Sequence, residues 1–389
     1  MKIDINKLID SEKLVAWRRH FHMYPEIGFC EHEGAKYIAA ELANYPEIEV
    51  FHPSGTSVVA VLKGDKPGKV LGLRADFDAL PITEEADVEF KSKNPGVMHA
   101  CGHDCHAAML LGAVDALYKI KDQLPGTVKF IFQHAEELPP GGALGIIKSG
   151  ILDDVQAFYG GHIQTDTPVG TVKGIDGPTY ANTDSFGVTI QGKGTHAASP
   201  QTGTDPLLIG TEIVQALNFI VSRSIAPRDS AVVTVASFHA GTADNIIADT
   251  AEMRGTVRSY EPAVRDLIEQ KIHSIAKGIC DAYDATCTVD YKRGYSAVVN
   301  DAVLYELFKE IITDDLHGVN LAVAKPGMGG EDFSEYGTIA PAFFSGIGGA
   351  FLDKENFPHH HPKFAIDEAS LPIGCGTYVA FALKWLAKN

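Results

Sequence analysis

The chain has 389 residues, with 33 Lys and Arg against 50 Asp and Glu, for a formal net charge of −17. Its apolar content of 45% and charged content of 21% fit a soluble globular protein with length for two or three domains. The acidic balance excludes a surface built to grip nucleic acid or anionic lipid, both of which call for clustered Lys and Arg. It leaves room for a small anionic substrate held by one or two local cations.

The N-terminal residues mix charge with apolar side chains, so no secretory h-region is read there. No run approaches the roughly 18 apolar residues of a membrane span. Six cysteines at irregular spacing do not make a disulfide framework, and a cytoplasmic location is expected. The unusual residue is histidine, with 16 copies that cluster.

Residues 7–45 read as helix with a break, Leu8, Ile9, Leu14 and Trp17 forming one apolar face. Strands are expected at 57–62 and 70–73, then a strong helix at 107–120. A buried-type strand at 127–133, a helix at 142–150 and a strand at 157–162 follow. This alternation implies an α/β layer with a mostly parallel sheet. The pattern changes near Ala181. A strand at 184–191, a helix at 205–223, strands within 230–238 and 246–260, a helix at 262–283 and a strand at 286–291 spell β-α-β-β-α-β, the ferredoxin-like order. The α/β signal returns with a helix at 301–313, a strand at 341–347 and a helix after Pro372. The expected organisation is a catalytic domain in two segments, 1–182 and 294–389, interrupted by an inserted domain at 183–293.

The densest chemistry is MHACGHDCH, residues 98–106, which gathers Cys101, His103, Asp104, Cys105 and His106. These donors suit Zn, Mn, Ni or Co. The segment is read as preceding the helix at 107, whose N-terminus favours thiolate. For a single cysteine, a reduced core thiol beside a capping Asp104 would be the simpler reading; the adjacent histidines weigh against it. No second Cys/His pair at finger spacing follows, so further ligands must come from distant strand ends, where open α/β sheets build their sites. His134, Glu136 and Glu137 follow one strand, His162 ends another, and Asp76 and Asp78 follow a third. His359, His360 and His361 stand in tandem in a loop. A metal site with an open position polarises a carbonyl and acidifies water, and a carboxylate that is not a ligand can move the proton. The Glu136–Glu137 doublet offers one residue for each role.

Together WRRHFHMYPEIGFCEHE, LRADFDALPITE, GVMHACGHDCHAAMLLGA, FQHAEELPPGGA, GKGTHAASP, GTADNIIADTAEMRGTVRSY, GGEDFSEYG and HHHPKFAIDEASLP resemble the aminoacylase/carboxypeptidase-like metalloamidohydrolases of peptidase family M20. The nearest likeness is to its hippurate hydrolase, N-acyl-amino-acid amidohydrolase and indole-acetyl-amino-acid hydrolase subgroup, over essentially the whole chain. The resemblance implies an α/β zinc-peptidase-like catalytic domain with an inserted ferredoxin-like lid and dimerisation domain, and a homodimer through that lid. It implies two divalent ions per subunit held by Cys101, His103, Glu137, His162 and His360, with Cys101 at the bridging position. It implies Glu136 as general acid/base, Asp76 orienting a ligand histidine, His196 stabilising an oxyanion, and Asn245 contacting substrate. Arg258 is our own candidate for the substrate carboxylate, because a guanidinium matches it bidentately. Cys105, His134, Gln201 and Gly330 depart from the family pattern, Cys105 putting a second thiol near the expected metal site.

The activity so implied is hydrolysis of the amide bond of an N-acylated amino acid. The rivals are a dipeptidase or carboxypeptidase with the same machinery, a silent metal-binding protein on this fold, and a cysteine-nucleophile enzyme using Cys101 or Cys105 with His106.

Overall fold

The structure is a computed structural model and describes residues 3–388. It divides into two compact units. The first comprises Met1–Thr179, Val299–Lys325 and Asp332–Asn389; the second comprises Tyr180–Val298 and Pro326–Glu331.

The chain opens with α1 (Ser11–Met23), α2 (His32–Leu42), β1 (Glu49–Phe51), β2 (Val58–Lys63) and β3 (Lys66–Asp76). Helix α3 (His103–Tyr118) leads to β4 (Pro125–Gln133), α4 (Ala143–Lys148), β5 (Ala157–Pro168) and β6 (Thr171–Gly174). Strand β7 (Gly177–Tyr180) is followed by β8 (Asp184–Gln191), β9 (Thr195–His196), α5 (Pro206–Phe219), β10 (Ala231–Ala240) and β11 (Ile246–Ile247). Then come β12 (Thr250–Ser259), α6 (Pro262–Ala282), β13 (Thr286–Arg293) and β14 (Val298–Asn300). The chain ends with α7 (Ala302–Asp314), β15 (Asn320–Val323), β16 (Ala342–Ala350) and α8 (Ser370–Lys388).

The first unit is built on an eight-stranded sheet, ordered β1-β2-β4-β3-β5-β16-β6-β15. Its centre, β4-β3-β5-β16, is parallel, as is β6-β15; the other neighbours are antiparallel. The central strands are continuous apolar runs because helices cover both faces. Leu71, Leu73, Val128, Phe130, Phe158 and Tyr159 are all buried. Helix α3 is buried along its whole length from His103 to Leu117, so it has no polar face to read as amphipathic. The parallel register aligns Asp76 with Gln133 and Arg74 with Gly160. The C-terminal ends of β3 and β4 are thereby brought level beside the middle of β5, and strand ends are where such sheets place their sites.

The second unit has a four-stranded antiparallel sheet, ordered β10-β12-β8-β13, with β-α-β-β-α-β connectivity. Helix α6 buries the stripe Val264, Ile268, Ile272, Ala276 and Cys280, a spacing of four that matches one helical face. Among the described residues, no helix is long and apolar enough to cross a membrane.

Several boundaries differ from the sequence reading. Helix α3 begins at His103, four residues before the apolar run, because Gly102 takes the left-handed N-cap (φ +89) and the polar first turn finds buried partners. Strand β5 runs on to Pro168, so His162 lies within a strand; only its pairing with β3 stops, at Gly160. Helix α8 starts at Ser370 and holds Pro372 in its first turn, where a missing N–H costs little. Strands β1, β6, β7, β9, β11, β14 and β15 are two to four residues long, too short for periodicity to register.

Candidate metal centre

Cys101, His103 and His162 each bring one donor atom within 4.8 Å of the others, and so do Cys101, Glu137 and His360. Cys101 belongs to both groups. A third group of the same kind joins His103 to Glu136 and Glu137. The residues arrive from four places: the loop and first turn of α3, the loop after β4, the middle of β5, and the loop before α8.

Hydrogen bonds fix which atom each imidazole presents. His103 Nδ1 lies 3.0 Å from the Asp78 main-chain oxygen and 3.2 Å from Asp78 Oδ1, so it donates there. Its Nε2 is buried and has no hydrogen-bond partner. His162 Nδ1 donates to the Ile163 carbonyl at 2.7 Å, and its Nε2 stands 3.4 Å from Cys101 Sγ. His360 Nε2 is 3.0 Å from Glu137 Oε1, a buried oxygen that has no partner in hydrogen-bonding geometry. A cluster of imidazole nitrogens, a thiol and a carboxylate, in which His103 Nε2 and Glu137 Oε1 are buried without hydrogen-bond partners, fits a divalent metal. The second-sphere oxygens that hold the imidazoles are what such a ligand set needs.

The electrostatics agree. Burial works against charge on His103, but Asp76 beside it overcomes this and holds its pKa well above the ordinary value. Burial pushes the Cys101 thiol well up, and burial together with His106 and His359 pushes His162 well down. Burial thus opposes charge at both imidazoles, and neighbouring Asp76 outweighs it at His103 alone.

The carboxylate doublet is carried by a strained loop. Ala135 sits at φ +51, and its N–H donates to the buried Glu31 Oε1 at 2.8 Å. Thr56 Oγ1 donates to the other Glu31 oxygen at 2.6 Å. Asp78 Oδ2 accepts from the Glu137 N–H at 3.0 Å. Sequence reasoning did not single out Glu31, and no local signal marks it; only the fold brings it beside Ala135. Beneath this loop, the buried Arg74 donates to Gln133, Asp76 and Asp332 at 2.7–2.9 Å. Gln133 and the Ala143 N–H also donate to Asp332.

Two expectations need correcting. Asp76 is not the carboxylate on His103 Nδ1; Asp78 is. Asp76 Oδ1 instead accepts from His106 Nδ1 at 2.6 Å, and its Oδ2 is 3.8 Å from His103 Nε2. The reason is reach. Asp76 is the last residue of β3 and faces the α3 turn at His106, whereas Asp78 lies past the strand's end beside His103. Cys105 also lies away from the cluster: its Sγ is 3.6 Å from Asp104 Oδ1, within the buried Arg18–Asp104–His22 network.

His106 is saturated, its Nε2 accepting the Ile163 N–H at 2.9 Å, so it is neither an open ligand nor a free base for a cysteine nucleophile. Of the tandem histidines, His359 donates to the Ile163 carbonyl at 2.9 Å and His361 stacks on Phe357. Only His360 turns to Glu137, from a left-handed backbone (φ +63) tied by its N–H to the Ala100 carbonyl at 2.8 Å.

In the second unit, His196 on β9 pairs with Ile246 on β11, and the Ala197 N–H donates to the Asn245 carbonyl at 3.0 Å. His196 and Asn245 therefore share one two-stranded corner. Arg258 lies on β12, half-buried, and its Nη1 donates to Thr256 Oγ1 and to the Val257 carbonyl.

The model of peptidase family M20/M25/M40 matches residues 72–384. The chain belongs to this family. This M20 chain is 42% identical over 301 residues to the N-acyl-L-amino acid amidohydrolase of Geobacillus stearothermophilus, covering 77% of this chain and 81% of the relative. It is 37% identical over 392 residues to thermostable carboxypeptidase 1 of Saccharolobus solfataricus, covering 100% and 98%. Its fold superposes with a TM-score of 0.86 on the Bacillus subtilis YXEP protein, a dinuclear metal-binding peptidase of the M20 family. That structure is 34% identical, with 97% and 99% of the two chains covered. As an M20 protein the chain is a hydrolase acting on amide bonds.

Proposed function

We propose that this chain hydrolyses the amide bond of N-acylated amino acids with two divalent ions. The observation that carries the reading is that Cys101 is shared by two three-residue donor groups, one with His103 and His162, the other with Glu137 and His360. These five residues would hold the ions, and the mix of thiolate, imidazole and carboxylate admits Zn, Mn, Co or Ni. When bound, the ions supply Lewis acidity, which polarises the scissile carbonyl and lowers the pKa of water.

The chain supplies the rest. Glu136, buried beside Glu137, takes a proton from the attacking water on its carboxylate and returns it to the departing amine. Asp78 keeps His103 in the Nδ1–H form so that Nε2 faces the site. His106 stays fixed between Asp76 and the β5 backbone and holds the α3 turn in place. His196 donates to the developing oxyanion, Asn245 contacts the substrate, and Arg258 takes its carboxylate. The sharing of one corner by His196 and Asn245 supports assigning them together. The second unit acts as the lid and joins two copies into a homodimer.

The test is a comparison of N-acetyl and N-benzoyl amino acids with dipeptides, using metal-loaded protein. Release of the free amino acid from the acylated substrates is expected. In Glu136→Gln, metal content should persist while kcat falls by about 100-fold or more. A strong preference for dipeptides would favour the carboxypeptidase-type reading suggested by the Saccharolobus relative.

A further inference from the structure

Three large apolar side chains in the first unit stay exposed beside the carboxylates: Ile27 (37%), Phe29 (42%) and Leu138 (43%). Leu138 is far in sequence from Ile27 and Phe29 but is joined to them in the fold. Leu138 follows Glu137 directly. Its Cδ1 packs on Gly28, where an added Cβ would come within 3.1 Å of it and within 3.2 Å of Ala135. Ile27 bridges to Ala79, the residue after Asp78, and the Ala79 N–H donates to the Glu26 carbonyl at 2.8 Å. The Phe29 ring meets the His134 ring edge-on at 5.5 Å.

Phe29 is also held at φ +66, a left-handed conformation that is costly for a bulky residue. Such a conformation persists where the surroundings enforce it. Here they do, because Glu31, two residues on, is buried and tied to Ala135 and Thr56. An apolar strip is therefore clamped against the loop that carries Glu136 and Glu137.

We propose that Ile27, Phe29 and Leu138 form the surface that receives the acyl group of the substrate, and that they select apolar and aromatic acyl chains. This rests on the amidohydrolase reading. The charge around the strip decides which end of the substrate lies there. Glu26 and Glu137 flank it in sequence, Asp78 adjoins Ala79, and Ile27, Phe29 and Leu138 offer no cation and no hydrogen-bonding side chain. A substrate carboxylate would lose water there and find no partner, whereas an uncharged acyl chain gains by leaving water. The amino-acid end must lie elsewhere.

The experiment measures kcat and KM for N-acetyl and N-benzoyl derivatives of one amino acid, and for N-benzoyl derivatives of several amino acids. Wild type, Phe29→Ala, Leu138→Ala and the control Phe51→Ala are compared. Phe51 is equally exposed on strand β1, outside the strip. In Phe29→Ala and Leu138→Ala the benzoyl-to-acetyl ratio of kcat/KM should fall roughly tenfold, mainly through KM. The amino-acid ratios should stay put, and Phe51→Ala should keep the wild-type ratio. A parallel fall in kcat for both acyl groups would mean the strip only braces the Glu136 loop, and a shift in amino-acid preference would put the other end of the substrate there. Either result overturns the proposal, as does an unchanged ratio. Benzamide binding, followed by ligand-detected NMR, separates the two readings. If wild type cleaves no N-acyl amino acid, the function fails. The strip then stands only if benzamide binds wild type and is lost in Phe29→Ala.

Discussion

Asp78 holds His103 at two points, with its main-chain oxygen and Oδ1 at 3.0 and 3.2 Å from Nδ1. Its remaining oxygen, Oδ2, accepts from the Glu137 N–H. One side chain thus orients donors in both halves of the proposed centre. Asp78→Ala should weaken metal binding by about 10- to 100-fold, the usual cost of removing such a support. Titration against a competing chelator would measure it. Asp76→Ala should act differently, lowering the melting temperature by freeing His106 and the buried Arg74.

Gly102 separates Cys101 from His103 at φ +89, and a Cβ there would sit 2.2 Å from Ile163 Cγ2. Gly102→Ala should cost about 1–2 kcal/mol for the backbone alone, with the clash in addition. Because the clash falls between two of the proposed ligands, metal content by elemental analysis should fall along with thermal stability.

Metal uptake should release protons. Burial holds the Cys101 thiol well above its ordinary pKa, so the metal-free protein keeps that proton at neutral pH, while ligation requires the thiolate. Affinity should therefore rise with pH. Isothermal titration in buffers of different ionisation enthalpy would count the protons. Cys101→Asp should release fewer near neutral pH, because a carboxylate is already ionised.

The buried Arg18–Asp104–His22 network should shape the acid limb of stability. Arg18 Nε donates to Asp104 Oδ2 at 2.8 Å, and His22 Nδ1 meets the same oxygen at 2.8 Å. Burial opposes the charge on Asp104, but Arg18 and His22 hold its carboxyl far below the usual range. Its contribution is complete above the unfolded value of about 4 and is lost as pH falls through the folded one. The pKa of His22 is raised by Asp104 and Glu84 against burial. Its contribution is complete below about 6.5 and is lost as pH rises through the raised value. Asp104→Asn should destabilise by about 3–5 kcal/mol at neutral pH, because Arg18 is left buried and less compensated. Its melting temperature should also fall less on acidification than that of wild type, which thermal melts across pH would show.

The chemistry was legible where it is dense in sequence. Cys101, His103, Glu136 and Glu137 stand out because soft donors and paired carboxylates rarely fall together beside buried runs. The parallel sheet followed from β3, β4 and β5, whose continuous apolar character requires cover on both faces. Less legible were the partners. Nothing local distinguishes Asp76 from Asp78, two acids two residues apart, and the register of β3 with α3 decides which reaches His103 and which His106. Glu31 reads as one acid among several in EHE, yet it anchors the Ala135 loop. Nor does HHH in sequence tell which ring faces Glu137. The left-handed backbone at His360 and its bond to Ala100 do that.

The sequence by itself determined the layered α/β architecture, the family and the inventory of donors, because hydrophobic periodicity and clustered side-chain chemistry are local properties. Only the tertiary structure decided which atoms converge. It showed that Cys105 leaves the centre for Asp104, that His106 is spent on Asp76 and Ile163, and that Ile27, Phe29 and Leu138 lie together beside the carboxylates. Those outcomes depend on strand register, on one left-handed glycine and on hydrogen bonds between residues far apart in the chain, and no window of sequence contains them.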